Sequence, residues 1–457
     1  MSLRSIFGFV LLTFLFAASA QAETFYAYLS GAQEVPAVAT TATGYARVVL
    51  NESAGTISFT VVFNGLSSNQ VASHIHAAAA IGANAPVAIN FGAVGGTSGT
   101  ITGSASITPT QIAQLRAHQG YVNVHSVNFS GGEIRGQLGT RRPVDNDGDG
   151  KTDFSVLRFP NVTPPGTAQI TYYNLNSTSG FQSTLWGDAN TDFPVPGDYD
   201  NDGKDDYALY RAGTTTGAQS LYLILQSSNN TAQFIPWGIN GDLAVNRDYD
   251  GDGITDLAVF RKGASAGTPA NWFIRQSSNS QFRAVQFGTT GVGTTSGDVA
   301  VPGDYDGDGK FDVAVYRFGG LAPNNSFIVL RSSDNALAVA QWGNFNTDYV
   351  LPGDYDGDGK YDYAVARTGA NGTVPMTWFI LQSSNSQLRS LQFGLSSDIP
   401  AQGDYDGDAR TDVAVYRGGA NTSSPSTFWV FRSFDNTILG TNWGLGGDFA
   451  VNTYDSR

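Results

Sequence analysis

The chain has 457 residues, a formal charge of −14, 55 glycines and no cysteine, with 41% hydrophobic but only 14% charged residues. Abundant Gly and aromatic residues with few charges exclude an all-helical fold and a disordered chain. The acidic balance argues against nucleic acid as a partner, and the absence of cysteine removes disulfides, thiol nucleophiles and a lipid-anchored cysteine.

Residues 1–22 read as an export signal. Arg4 supplies the positive start, residues 5–18 an apolar stretch, and Ala20-Gln21-Ala22 a small-residue cleavage pattern, so Glu23 is expected to begin the mature chain. The protein is therefore expected to be secreted or held on the cell surface. No later segment is long and apolar enough to span a bilayer as a helix. An exported chain without disulfides needs another source of rigidity, and bound metal is the obvious one.

Residues 23–139 alternate apolar and polar over 24–29, 45–50, 56–63, 73–76, 87–91, 100–107, 121–125 and 133–138, which predicts a separate all-β, sandwich-like domain. One short helix is expected where Thr108-Pro109 offers a cap and an N1 proline ahead of Ile112, Leu115 and His118. All four histidines of the chain fall in this domain: His74, His76, His118 and His125. His74-Ile75-His76 on a strand puts both imidazoles on one face. His125 shares a face with Tyr121 and Asn123. Two strands presenting His74, His76 and His125 can build a copper or zinc site, and the same three can equally be ordinary polar positions of a β-domain.

This region resembles the chordin-type (CHRD) domain through Leu29-Ser30-Gly31-Ala32-Gln33-Glu34-Val35-Pro36, Ser73-His74-Ile75-His76, Tyr121-Val122-Asn123-Val124-His125 and Gly132-Glu133-Ile134-Arg135-Gly136-Gln137-Leu138. The resemblance implies an extracellular β-fold and no settled chemistry. The histidine pattern is also loosely similar to that of copper/zinc superoxide dismutases. The bridging histidine and disulfide cysteines of those enzymes have no counterpart here, so dismutase activity is not expected. Glu133 and Arg135 are expected to form a buried pair.

From residue 143 a unit of about 50 residues recurs. Each unit starts with an acidic loop of the form D-x-D-x-D-G-x-x-D and continues as short strands separated by turns. Four strands per unit predict a β-propeller over 140–457, with six blades favoured and seven possible; a linear β-solenoid has shorter coils. A broken seventh copy, Val451-Asn452-Thr453-Tyr454-Asp455, is positioned to supply a closing strand to the first blade.

The loop spacing puts carboxylates at positions 1, 3, 5 and 9 and a backbone carbonyl at position 7, the oxygen cage that Ca²⁺ takes. The candidate ligands are Asp145, Asp147, Asp149, Lys151 and Asp153; Asp198, Asp200, Asp202, Lys204 and Asp206; Asp248, Asp250, Asp252, Ile254 and Asp256; Asp304, Asp306, Asp308, Lys310 and Asp312; Asp354, Asp356, Asp358, Lys360 and Asp362; and Asp404, Asp406, Asp408, Arg410 and Asp412. Positions 1, 3, 5 and 9 of the six loops hold 24 of the 39 acidic residues, a density that repels itself without cations. About six calcium ions are therefore expected. An EF-hand is not, because position 12 lacks Glu and strands follow. In the sixth loop Ala409 stands where the others have glycine, which predicts the weakest affinity there.

These units resemble the FG-GAP and VCBS-type repeats of integrin α-subunit propellers and bacterial secreted proteins. That resemblance implies ions that brace blades and take no part in catalysis. Asp192, Asp242, Asp298, Asp348, Asp398 and Asp448 recur with Arg158, Arg211, Arg261, Arg317, Arg367 and Arg417, and are expected to pair between strands.

No Ser-His-Asp order, phosphate loop or nucleotide fingerprint stands out. The leading expectation is a secreted, non-catalytic adhesion or recognition protein whose variable loops (213–219, 263–270, 319–325, 369–375 and 418–425) meet a glycan or protein. Trp272, Trp378 and Trp429 are expected in blade cores rather than on sugars. The alternatives are an extracellular copper or zinc metalloprotein built on His74, His76 and His125, and a polysaccharide-acting enzyme.

Overall fold

The computed structural model describes residues 22–140, 143–160, 168–291, 297–319, 325–344 and 348–452. Residues 1–21 of the expected export signal, Arg142, the end of the broken seventh copy and most of the 319–325 loop lie outside the described residues.

The first domain contains β1 (Ala22–Ser30), β2 (Thr43–Asn51), β3 (Thr56–Asn64), β4 (Gln70–Ala77), β5 (Val87–Asn90), β6 (Gly99–Ser106), α1 (Pro109–Arg116), β7 (Gly120–Ser126) and β8 (Ile134–Gln137). They form one antiparallel sheet in the order β5-β4-β7-β8-β1-β2-β3-β6. The two halves expected of a sandwich are thus hydrogen-bonded into one near-closed sheet. Its ends approach each other where Phe59, on β3, stacks on Phe91, just past β5, at 3.8 Å. Period-two alternation turns Ala46, Val48 and Leu50 of β2 and Phe59, Val61 and Phe63 of β3 onto a single core with Phe25, Ile75, Val122 and Ile134. The α1 cap is as expected: Thr108 Oγ1 accepts the Gln111 N–H, and Gln111 returns a side-chain oxygen to the Thr108 N–H.

The repeats form six four-stranded antiparallel sheets. Five are contiguous in sequence. The blade holding Phe154–Arg158, Gln169–Asn176 and Gly180–Asp188 takes its fourth strand, Phe449–Ala450, from the end of the chain, which pairs with Leu157 and Val156. The ring of six blades thus closes through the two residues just ahead of the broken seventh copy, and of that copy Val451 adds a bond from its N–H to the Ser155 carbonyl. Trp272 and Trp378 are fully buried in blade cores. Other tryptophans stitch neighbouring blades: Trp186 Nε1 donates to the Leu223 carbonyl, Trp237 to Phe273, Trp342 to Phe379 and Trp443 to Tyr173.

The recurring arginines and aspartates pair across the first two strands of every blade: Arg158–Asp448, Arg211–Asp192, Arg261–Asp242, Arg317–Asp298, Arg367–Asp348 and Arg417–Asp398. Each aspartate also accepts a backbone N–H from the end of the preceding blade, as Asp242 does from Ile239 at 2.8 Å and Asp448 from Leu445 at 2.7 Å. One residue pair thus fastens both a blade and its joint.

Antiparallel strand order fixes the two faces. Connections from first to second and from third to fourth strand emerge at one end of a blade, and the remaining two at the other. The acidic loops and the Ser-Ser turns accordingly share one face. The variable loops at 213–219, 263–270, 369–375 and 418–425 lie on the opposite one.

Candidate metal sites

Each acidic loop is folded by its own carboxylates. In the fifth, Gly357 N–H donates to Asp354 Oδ1 at 2.6 Å and Gly359 N–H to Oδ2 at 3.0 Å. Lys360 N–H donates to Asp358 Oδ1 at 3.0 Å, and Tyr355 N–H to Asp362 Oδ2 at 2.9 Å. Tyr355 is itself pinned by its hydroxyl, which donates to the Leu351 carbonyl at 2.9 Å. Carboxylates of one loop thereby converge: Asp145, Asp147 and Asp153 bring ligand oxygens within 4.8 Å of one another, as do Asp198, Asp200 and Asp206, and Asp248, Asp250 and Asp256.

The aspartate at position 3 behaves alike in all six loops. Asp147, Asp200, Asp250, Asp306, Asp356 and Asp406 each leave Oδ1 buried and without a hydrogen-bond partner. A buried carboxylate oxygen without a partner costs free energy of about 1–3 kcal/mol or more, and native structures rarely tolerate one. Six at the same position fit a cation held against that oxygen.

Electrostatics point the same way. Burial, then neighbouring carboxylates, push the carboxyls of Asp153, Asp256 and Asp362 up to about 8, and Asp312 to about 7. Burial likewise raises Asp206 to about 7. Asp145, Asp248 and Asp304 lie well above the ordinary range for the same reasons.

Sequence reasoning missed the serines. Ser332 and Ser383 each donate N–H to the position 9 carboxylate and Oγ to position 5, while Ser333 and Ser384 donate Oγ to the other oxygen of position 3. The Ser-Ser that follows the second, third, fourth and fifth loops at nearly constant distance was the available signal.

The loops are also linked to each other. The N–H at position 8 of every loop donates to the position 1 carbonyl of the loop before it: Asp205 to Asp145, Thr255 to Asp198, Phe311 to Asp248, Tyr361 to Asp304, Thr411 to Asp354 and Thr152 to Asp404, at 2.6–2.8 Å. Six backbone hydrogen bonds close a ring around the propeller axis.

The first domain sits on this acidic face. Gln33 Nε2 donates to the Gly407 carbonyl at 3.2 Å, Arg47 to Asn201 Oδ1 at 2.6 Å, and the Lys151 ammonium lies 4.2 Å above the Tyr28 ring. His118 Nδ1 lies 3.1 Å from Asp354 Oδ2. Gly359 (φ 84°) needs to be glycine on two counts: its backbone is left-handed, and a Cβ would meet the Arg116 carbonyl at 2.1 Å.

The sixth loop departs from its neighbours. Ala409 takes the left-handed conformation, φ 72°, that glycine holds elsewhere. Arg410 occupies Asp408 Oδ2, and Phe434 replaces the second serine, leaving only its N–H for Asp406.

In the first domain, His74, His76 and His125 come together as the strand pattern suggested, with ligand nitrogens within 4.8 Å of one another. Burial, then the other two histidines, lower His74 to about 4, and burial lowers His76 and His125. The expected Glu133–Arg135 pair does not form. Glu133 instead accepts from Ser67, Thr40 and Ser126, and Arg135 donates to Ala83 and Asn84. Hydroxyls and a backbone N–H already satisfy Glu133, and a carbonyl and an amide oxygen satisfy Arg135, so neither turns to the other. Burial raises Glu34, beside Asn123, to about 7.

Residues 25–138 match the model of the CHRD domain, and residues 248–315 match that of an FG-GAP-like repeat. The chain is thus a CHRD domain followed by an FG-GAP-like repeat region that forms a six-bladed β-propeller. No curated protein sequence matches it. Among solved structures it resembles a protein provisionally described as a 6-phosphogluconolactonase from Bacteroides fragilis, with 11% identity over 64% of this chain and 83% of that one and a TM-score of 0.36. It also resembles a rhamnogalacturonan lyase, with 12% identity over 84% and 73% of the two chains and a TM-score of 0.31. Likeness this distant carries nothing about chemistry.

Proposed function

We propose that this chain is an extracellular, non-catalytic recognition protein whose propeller is braced by calcium and presents its open face to a glycan or protein. In this reading the position 1, 3, 5 and 9 aspartates, with the position 7 carbonyl, hold one Ca²⁺ per loop. The ions then fix the face on which the CHRD domain rests. No helix among the described residues is long and apolar enough to cross a membrane.

The observation that carries the reading is the contrast between the two faces. The acidic face repeats itself and is covered by the first domain. The other carries loops that differ from blade to blade, as binding loops on a rigid scaffold do. It also has apolar inner-strand side chains at equivalent positions, with Phe193 60%, Leu243 49% and Phe449 41% exposed. Phe193, Leu243 and Val299 line a cavity of about 340 Å³ beside the axis.

The test is a glycan and surface-protein array probed with the full chain in calcium. Binding that survives calcium, disappears when the 213–219 and 369–375 loops are exchanged, and persists when Arg47 is changed supports recognition by the open face. Indifference to loop exchange, or no binding to any glycan or surface protein, sinks it.

A further inference from the structure

Three histidines on the outer face of the first domain have no role in calcium-braced recognition. His74 and His76 project from β4, and His125 from the neighbouring β7, where His74 stands opposite Asn123 and His125 opposite Ala72. His74 Nδ1 and His125 Nε2 are 3.1 Å apart. Two nitrogens bound to one tetrahedral ion at about 2.0–2.1 Å stand roughly 3.3 Å apart, so this pair can share an ion with little movement.

The other ring nitrogens are already committed. His76 Nδ1 lies 2.8 Å from the Ala85 carbonyl, and His125 Nδ1 2.9 Å from the Ser130 carbonyl. A carbonyl only accepts, so both Nδ1 atoms carry the proton and both Nε2 lone pairs point into the cluster. His76 Nε2 is buried there without a hydrogen-bond partner. Its ring is held flat against Tyr121 at 4.7 Å and 2°, and the Arg135 guanidinium packs on Tyr121 at 3.4 Å. His74 is only half-buried, which leaves the cluster open to solvent on its side.

We infer that His74 Nδ1, His76 Nε2 and His125 Nε2 form a mononuclear copper site with an open coordination position. Three neutral imidazoles without a carboxylate do not suit calcium, which takes oxygen ligands. They do suit borderline transition ions, among which Cu²⁺ binds more tightly than Zn²⁺ at a given nitrogen set. Calcium and copper would thus occupy separate domains through separate donor chemistry.

The test uses the full chain, purified without a histidine tag and kept in calcium, and titrated with Cu²⁺ and Zn²⁺. The expected result is one equivalent of copper whose paramagnetic resonance spectrum shows coupling to imidazole nitrogens. Equimolar zinc should not displace it. His125→Gln and His74→Gln should each lose the ion while keeping the calcium content and thermal midpoint of the parent. If both variants fail to fold, the spectrum of the parent decides: oxygen-only coordination overturns the site. Copper retained by both folded variants also overturns it, and displacement by equimolar zinc overturns the copper assignment.

Discussion

The backbone N–H of Thr152 donates to the carbonyl of Asp404 at 2.7 Å, joining the first acidic loop to the last. Because the same bond recurs between all neighbouring loops, a change in one loop is passed to two others through its position 1 and position 8 residues. Calcium binding is then expected to be coupled around the ring.

Asp306→Ala should therefore remove more than one equivalent of calcium at limiting metal and weaken the sites of the third and fifth loops. Calorimetric titration measures this directly. At calcium 100-fold above the dissociation constant, one site adds about 2.7 kcal/mol to stability, so the thermal midpoint should drop visibly. Loss of a single equivalent with five unchanged sites would mean the loops act independently.

Ala409→Gly should strengthen the sixth site. A left-handed alanine costs about 1 kcal/mol relative to glycine, and Ala409 holds φ 72° while buried. The expected gain is about fivefold in that site's calcium affinity. An unchanged or weaker sixth site would shift the blame to Arg410 and Phe434.

Without calcium, the protein should be less stable at pH 8 than at pH 5. Asp153, Asp256 and Asp362 rise to about 8 in the folded chain, against about 4 when unfolded. The folded state then binds more protons between those values. Its advantage is full below pH 4 and lost as pH climbs through 8. Calcium should reverse the slope, since the ion displaces those protons. Thermal melts in chelator and in calcium across this range check both signs.

Arg261→Met should destabilise the chain by about 2 kcal/mol, because it strands the Asp242 carboxylate, whose side chain is 1% exposed against 34% for the arginine. The double variant with Asp242→Asn should recover part of the loss. Denaturant unfolding of the single and double variants would expose the pair as idle if no coupling emerged.

Chelation should loosen the CHRD domain from the propeller, since Gln33, Arg47 and His118 contact atoms of the acidic loops that the proposed ions would hold in place. Small-angle scattering should report a larger radius of gyration in chelator, and protease should cut near 139–143. An unchanged radius would indicate docking that does not need calcium.

The acidic loops, the blade period and the Arg–Asp series were legible because each repeats at a fixed spacing. The histidine cluster was legible because His74 and His76 share a strand face. The ring through Thr152 and Asp404 was not, because backbone hydrogen bonds leave no residue signature. The burial of the first domain on the loops was equally hidden, since Gln33 and Gly407 meet only through tertiary packing. Glu133 and Arg135 misled for the opposite reason: closeness in sequence suggested a pair, and Ser126 and Asn84 were nearer in space.

The pairing of Phe449–Ala450 with Val156 and Leu157 sets a timetable for assembly. During synthesis the first blade has its strand edge exposed while nearly 300 further residues are made, and such edges invite wrong pairing. The blade that starts the ring is the last to be completed. A ribosome-stalled chain ending before residue 449 should consequently hold five finished sheets and one open seam, and a chaperone that shields strand edges would act there.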